Sequence, residues 1–160
     1  MQCEKYAGGS TPTSRRRLRV VVDTGVLVSA FAFGGLPRRA VRYAVQTTNI
    51  YVSPELLKEY REVPEELLAE EKVTHLQWQA LVIGIASFVS GAKVVRPRRK
   101  LEICRDPEDN MLLECCLTAR ADVLVTGDKD LLEISTQALQ SAGLGKLRIQ
   151  KPSTYVGSVS

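Results

Sequence analysis

The residues best suited to chemistry are five acidic side chains, Asp23, Glu59, Asp106, Asp109 and Asp128. Carboxylates brought close together repel one another, and some of them take up protons unless a cation neutralises the charge. Oxygen ligands without His or Cys favour Mg²⁺ or Mn²⁺. Such a metal activates water and neutralises charge on a phosphate, so a cluster of these acids would suit hydrolysis of phosphodiester bonds.

The elements that must position these acids alternate between strand and helix. Apolar or β-branched runs at 18–22, 49–52, 93–95, 121–125 and 146–149 predict five strands. Helices between successive strands predict an α/β fold, in which a parallel sheet carries helices on both faces. In such sheets, ligands bind beyond the carboxyl ends of the strands.

Helical spacing and capping residues predict the connecting helices. Ser53-Pro54-Glu55 is a strong helix start, because Ser suits the N-cap, Pro the first helical position and Glu the first turn. Further helices are predicted at 37–46, from Pro64, at 74–90, from Asp106-Pro107-Glu108 and at 130–141.

All five acids fall at or near the carboxyl edge of this predicted sheet. Asp23 directly follows the first strand, and Asp128 lies in the loop after the fourth. Asp106 and Asp109 occupy the first turn of a crossover helix, which begins at the same edge. Glu59 lies in the helix after the second strand and borders its apolar stripe, so its side chain leans back toward that edge.

Four of the acids also have a purely structural interpretation. Asp106 and Asp109 could serve the helix dipole, Glu59 could be solvated beside basic neighbours, and Asp128 could be a turn residue. Asp23 is harder to explain in this way, because an aspartate that closes a buried valine run has no comparable structural purpose. Convergence on one edge favours the site.

Length and composition indicate a single domain. The chain has 160 residues and a net charge of +4, and we expect a disordered polar and basic tail at 1–17 followed by one domain at 18–155. We expect no membrane span. The four cysteines form no CxxC pair and the chain has one histidine, which argues against a zinc site and favours a reducing, cytoplasmic location.

Four segments resemble the successive motifs of PIN-domain proteins. In chain order they are 21–30 (VVDTGVLVSA), 53–63 (SPELLKEYREV), 105–110 (RDPEDN) and 125–130 (VTGDKD). Their order and spacing are similar to those in the toxin components of bacterial toxin–antitoxin pairs. The resemblance covers about residues 18–155 and departs from the family at Gly25, where the family usually has Asn.

The resemblance implies a three-layer α/β/α sandwich and an endoribonuclease that depends on Mg²⁺ or Mn²⁺. By motif position, Asp23, Glu59, Asp109 and Asp128 are the expected acidic quartet. Asp23, Asp109 and Asp128 would hold the metal, with Asp106 as an auxiliary ligand. Thr126 would hydrogen-bond a ligand carboxylate or a water. The resemblance also suggests a homodimer and a small antitoxin partner that caps the acidic edge.

Two basic clusters are candidates for RNA contacts. Arg38 and Arg39 belong to the first, and Arg98 and Arg99, shortly before the acidic turn, belong to the second. Cations near a metal site would help to attract phosphate. The alternative for each cluster is a solvated face.

Hydrolysis is predicted to use Glu59 as a ligand or as proton acceptor for the attacking water, and to leave 5′-phosphate and 3′-hydroxyl ends. Two other functions compete with it. One is a catalytically silent RNA-binding or regulatory domain of the same fold, which Gly25 motivates. The other is a phosphatase or phosphotransferase with Asp23 as nucleophile, although residue 25 is not the second Asp of such motifs and no Gly-rich phosphate loop is present.

Overall fold

A computed structural model describes residues 16–159, which form a five-stranded parallel sheet. The strands are β1 (Arg19–Val22), β2 (Asn49–Val52), β3 (Lys93–Val94), β4 (Val123–Val125) and β5 (Arg148–Gln150). Their order across the sheet is β3-β2-β1-β4-β5, and every neighbouring pair is parallel. The predicted α/β fold with a parallel sheet is confirmed, and each strand lies within a few residues of its predicted position.

Helices connect the strands and complete a three-layer α/β/α sandwich. They are α1 (Thr24–Val28), α2 (Gly35–Thr47), α3 (Pro54–Ala69), α4 (His75–Ser90), α5 (Asn110–Ala119), α6 (Lys129–Leu132), α7 (Thr136–Ser141) and α8 (Pro152–Val159). A π-helical turn at Ser29–Phe33 follows α1, and a 3₁₀ turn at Pro107–Asp109 precedes α5. Helix α2 packs on α8, and α3 packs on α4 and α5.

The central strands β1 and β4 are buried on both faces of the sheet. Val20, Val21 and Val22 are at most 1% exposed, and the three residues of β4 at most 2%. Strands covered by helices on both sides read as continuous apolar runs, which is why the sequence pattern located them. Asp23, the first residue after β1, therefore lies at the carboxyl edge of the sheet.

The prediction of a second helix from Pro64 was wrong, because α3 continues through this residue. Proline has no amide hydrogen, so it removes one hydrogen bond from a helix interior and usually ends the helix. Here Leu56, Tyr60 and Pro64 are all buried at a spacing of four residues. Burial of this stripe outweighs the local cost of the proline.

Two further elements differ from the predictions. The helix predicted at 130–141 is split into α6 and α7, and Ser135 caps α7 by accepting a hydrogen bond from the Ala138 amide at 3.1 Å. Helix α8 was not predicted. It extends past the expected domain end at 155 and buries Tyr155, whose ring packs edge-on against Tyr43.

The start of the described region is bonded to the amino edge of the sheet. Arg16 forms an ion pair with Asp122 at 2.8 Å, and Arg17 donates to the carbonyls of Gln46 and Thr48. Both arginines belong to the tail predicted at 1–17, whose other residues, 1–15, lie outside the described region. Across residues 16–159, no helix combines the length and apolar character needed to cross a bilayer.

Candidate active site

A cleft of about 510 Å³ opens at the carboxyl edge of the sheet. The acidic residues that line it are Asp23, Glu59, Glu108, Asp109 and Asp128. No lysine or arginine is among the lining residues that the structure describes. The cleft therefore gathers four of the five predicted acids together with one that was not predicted.

Asp23 and Asp128 are joined through a buried threonine. The Asp23 amide donates to the Val125 carbonyl at 2.9 Å, which fixes the end of β1 against β4. Thr126 is fully buried, and its hydroxyl donates to Asp23 Oδ2 at 2.6 Å while accepting from the Asp128 amide at 3.0 Å. One hydroxyl thus sets the positions of both aspartates.

Glu59 reaches the cleft from α3. Ser53 caps this helix, accepting a hydrogen bond from the Leu56 amide at 3.1 Å. The Tyr60 hydroxyl donates to the Val22 carbonyl at 2.5 Å, which fastens α3 to β1 directly before Asp23. The carboxylate of Glu59 accepts a hydrogen bond from the buried hydroxyl of Thr24.

Asp109 is presented by the 3₁₀ turn that precedes α5. The side chain of Asn110 supports this turn by accepting from the amides of Ile103 and Cys104 at 3.0 and 2.9 Å. Asp106, expected as an auxiliary metal ligand, does not line the cleft. Its carboxylate accepts from the amide of Glu108 at 3.0 Å, as an N-cap does, and Glu108 lines the cleft instead.

Burial and the charge of neighbouring acids raise the pKa values of three cleft carboxylates, those of Asp23, Glu59 and Asp109. Burial raises the pKa of Asp109 to about 7, with further contributions from the charge of Asp128 and a hydrogen bond to it. Burial also raises the pKa of Asp23, against the opposing effect of the hydrogen bond from Thr126. The pKa of Glu59 is raised chiefly by burial, while the hydrogen bond from Thr24 lowers it.

The donor chemistry of the cleft fits a hard divalent cation. Carboxylate groups from several parts of the chain line one cavity. None of the ion pairs formed within residues 16–159 involves these carboxylates, so no basic side chain neutralises their charge. In that same region, no three His, Cys, Asp or Glu side chains already stand close enough together to hold a metal ion. Mg²⁺ is commonly held by one or two carboxylates together with water, so the cleft does not need three acids on one ion.

Comparison with known proteins assigns the family. The family model described as the PIN domain matches residues 19–130, which is more than half of the chain. The chain belongs to the PIN-domain family. PIN-domain nucleases generally use divalent metal ions, in agreement with the oxygen-rich cleft.

Relatives and solved structures agree with this assignment. This PIN domain is 27% identical over 121 residues to an uncharacterized protein of Methanocaldococcus jannaschii, covering 74% of this chain and 76% of the relative. VapBC2 from Rickettsia felis, bound to a promoter DNA fragment, superposes with a TM-score of 0.52 at 12% identity, covering 84% and 98% of the two chains. A protein of Pyrobaculum aerophilum gives 0.51 at 18% identity, covering 87% and 88%. At these identities the two structural similarities establish the fold alone.

Gly25 leaves free space in the cleft of this PIN domain. It lies in α1, and a Cβ built there meets no atom within 4 Å. A methyl group at this position would therefore meet no neighbouring atom. The departure from the usual Asn changes the cleft wall and removes none of the acids.

The four arginines proposed as RNA contacts do not line the acidic cleft. Arg38 lines a separate groove between α2 and α4. The segment 99–104 runs alongside α5 in the opposite direction, so Arg99 approaches Gly143 near the far end of that helix. Arg39 and Arg98 are exposed.

Four residues with a clear place at the site were not identified from the sequence as functional. Thr24 holds Glu59, Asn110 supports the acidic turn, Glu108 lines the cleft, and Tyr60 ties α3 to β1. Thr24, Glu108 and Asn110 carried a local signal as direct neighbours of Asp23 and Asp109, whereas Tyr60 was interpreted only as part of an apolar stripe. Their contacts in the site depend on tertiary structure, which the local pattern does not encode.

Proposed function

We propose that this PIN domain is an endoribonuclease that hydrolyses RNA phosphodiesters with Mg²⁺ or Mn²⁺. The observation that carries the proposal is the cleft itself, in which five carboxylates from four separate segments of the chain meet without a basic residue in the described lining. Carboxylates left unneutralised against one another favour a divalent cation over any neutral ligand.

In this proposal Asp23, Asp109 and Asp128 hold the metal. Thr126 orients Asp23 through its hydroxyl and sets the loop that carries Asp128. Thr24 orients Glu59, which acts as a further ligand or accepts the proton of the attacking water. Asp106 supports the turn of Asp109 and adds to its negative surroundings.

A divalent metal bound there would supply positive charge to the phosphate and make water a better nucleophile. Hydrolysis by water leaves 5′-phosphate and 3′-hydroxyl ends. Products with a 2′,3′-cyclic phosphate would contradict this mechanism, since the RNA 2′-hydroxyl would then have been the nucleophile.

We assign the biological role of a toxin in a toxin–antitoxin pair, with a homodimeric assembly and a small antitoxin partner. The similarity in fold to VapBC2 supports this role. The free thiols of Cys104, Cys115 and Cys116 support a reducing, cytoplasmic location. Expression of the wild-type chain should arrest bacterial growth, whereas expression of Asp23→Asn at the same level should not. Light scattering on the purified protein tests the dimer.

Cleavage of RNA tests the activity directly. Structured and single-stranded RNAs are incubated with the protein in Mn²⁺ or Mg²⁺, beside EDTA and the variants Asp23→Asn and Glu59→Gln. Glu62→Gln, an exposed acid of the same helix, is the matched control for Glu59→Gln. Cleavage that EDTA, Asp23→Asn and Glu59→Gln abolish and the control retains supports the nuclease.

The second candidate is a catalytically silent RNA-binding domain, which the open space at Gly25 favours. The amide that usually supports the metal site is missing there, and loss of such support weakens metal binding. RNA binding without metal-dependent cleavage across several RNAs, in a protein that melts cooperatively, would select this function over the nuclease.

A further inference from the structure

A second large cleft, of about 630 Å³, lies at the amino edge of the sheet. We call it the amino-edge pocket. The residues that line it are Arg16, Cys116, Leu117, Arg120, Ala121, Asp122, Gly143, Leu144, Gly145, Lys146 and Leu147. They precede β1, β4 and β5 or lie at the end of α5, so the pocket is at the opposite end of the strands from the acidic cleft.

Positive charge is concentrated around this pocket. Arg16, Arg120 and Lys146 line it, and Asp122 is the single acid in the described lining. Asp122 is engaged by Arg16 through two hydrogen bonds, at 2.8 and 3.1 Å. The charges of Arg120 and Lys146 therefore face the cavity without an acidic counterpart in its described lining.

The backbone at this pocket is held in conformations that have a local cost. Arg120 ends α5 in the left-handed region, with φ 54° and ψ 49°. Glycine is the residue that normally takes this place at a helix end, because a Cβ is strained there. Arg120 therefore carries a local strain that glycine would avoid, at a position that lines the cavity.

Gly143 lines the pocket at a position where a side chain would be both strained and crowded. Its φ is +86°, and a Cβ there would come within 3.3 Å of Leu117 Cδ1 and 3.8 Å of Arg99 Nη1. Arg99 therefore approaches the rim and adds a further positive charge. Leu144 and Leu147 are buried and supply an apolar floor.

From this combination we infer that the amino-edge pocket binds a nucleotide unit, with its phosphate at Arg120 and Lys146 and its base on the apolar floor. The volume is within the range of small-molecule sites, and apolar walls with a few convergent polar groups are typical of them. Guanidinium groups bind phosphate through paired, charge-assisted hydrogen bonds. The nucleotide comes either free or as part of an RNA strand.

Binding is measured by calorimetry in EDTA, with adenosine monophosphate, adenosine and a short single-stranded RNA as probes. No metal-dependent cleavage proceeds in EDTA, so the outcome does not depend on the proposed nuclease. Adenosine monophosphate is expected to bind more tightly than adenosine. Saturation by adenosine monophosphate identifies a free nucleotide as ligand, and saturation by RNA alone identifies an RNA strand.

The decisive variants are Arg120→Gly and Lys146→Gln. Each removes a charge-assisted contact and should weaken binding by about tenfold or more. Arg120→Gly also relieves the left-handed strain, so its Tm should not fall. Glu71→Gly is the matched control, because Glu71 is the other non-glycine residue of the described chain with positive φ and does not line the pocket.

Lys146 is exposed, so Lys146→Gln tests the site even if Arg120→Gly fails to fold. Loss of binding in the pocket variants, with binding by Glu71→Gly unchanged, supports the inference. Wild-type protein that binds none of the three probes overturns it. Pocket variants that bind as tightly as wild type also overturn it.

Discussion

The two ends of the sheet carry opposite charge. At the carboxyl edge, five carboxylates share a cleft with no basic residue in the described lining, and burial holds the pKa values of Asp23, Glu59 and Asp109 above their usual range. At the amino edge, Arg16 lowers the pKa of Asp122 by a hydrogen bond, despite burial that acts in the other direction, and basic side chains dominate.

This difference separates two kinds of site. Crowded acids at the carboxyl edge either take up protons or bind a cation, which suits the metal-dependent activity that we propose. The amino edge already contains cations, which suit the anionic ligand that we propose for it. Because the two sites lie at opposite ends of the same strands, substitutions at one edge should leave the other edge intact.

The largest expected effect is on catalysis at the acidic edge. Asp128→Asn removes one proposed metal ligand and one of the charges that raise the pKa of Asp109. RNA cleavage in Mn²⁺ should fall by more than about a hundredfold. Binding of adenosine monophosphate at the amino-edge pocket should stay within twofold or so of wild type. Cleavage that survives within about tenfold would remove Asp128 from the metal site.

A smaller loss is expected from Thr24→Val, which keeps the shape of this buried side chain and removes its hydrogen bond to Glu59. Cleavage should fall by about tenfold. Since that bond lowers the pKa of Glu59, the acidic limb of the pH–rate profile should move to higher pH. Thr24→Ser retains the hydroxyl and should restore both the rate and the profile. A rate loss with an unmoved profile would contradict this positioning role.

In metal-free protein, the raised pKa of Asp109 at the carboxyl edge should make stability depend on pH. The pKa of Asp109 is about 7 in the folded state and near 4 when unfolded, so the folded state binds this proton more tightly. The resulting stability is complete below the unfolded pKa and is lost as pH rises through about 7. The Tm in EDTA should therefore decline with pH over this range more steeply for wild type than for Asp109→Asn. Equal slopes would contradict the raised pKa.

The smallest expected effect concerns the open wall of the acidic cleft. Gly25→Ala should stabilise the protein by about 0.5–1 kcal/mol, because glycine inside a helix loses more conformational entropy than alanine and the added methyl meets no neighbour. Gly84→Ala is the contrasting control, since its Cβ would overlap the ring of Phe31. Urea denaturation measures both. Destabilisation by Gly25→Ala would show that the cleft wall is less open than the geometry indicates.

The sequence predicted correctly those elements and residues whose position depends on a local pattern of apolar and polar residues. The buried valines of β1 and the apolar run of β4 predicted the sheet, and Asp23 and Asp128 follow these strands so closely that their edge was determined with them. The helix boundary predicted at Pro64 was wrong, because burial of the apolar stripe of α3 outweighs the usual effect of proline in ending a helix. Asp106 and Asp109 are near in sequence, yet a single 3₁₀ turn gives only Asp109 to the cleft.

Contacts between residues that are far apart in the chain could not be predicted from the local sequence pattern. Arg99 was expected near the acids because it precedes them by few residues, but its segment doubles back along α5 and places it near the other end of that helix. The hydrogen bond between Thr24 and Glu59 joins residues 35 apart in the chain. Neither contact leaves a periodic signal.

The side chain of Asn110 has a consequence for motion. A single amide oxygen restrains the backbone amides of Ile103 and Cys104, at the base of the segment that leads to Asp109. When that oxygen is released, both amides lose their partner at once, so they should show the same protection factor against exchange with solvent deuterium. Equal protection would indicate that the segment opens as one unit, and the position of Asp109 in the cleft would then depend on how long this segment stays closed.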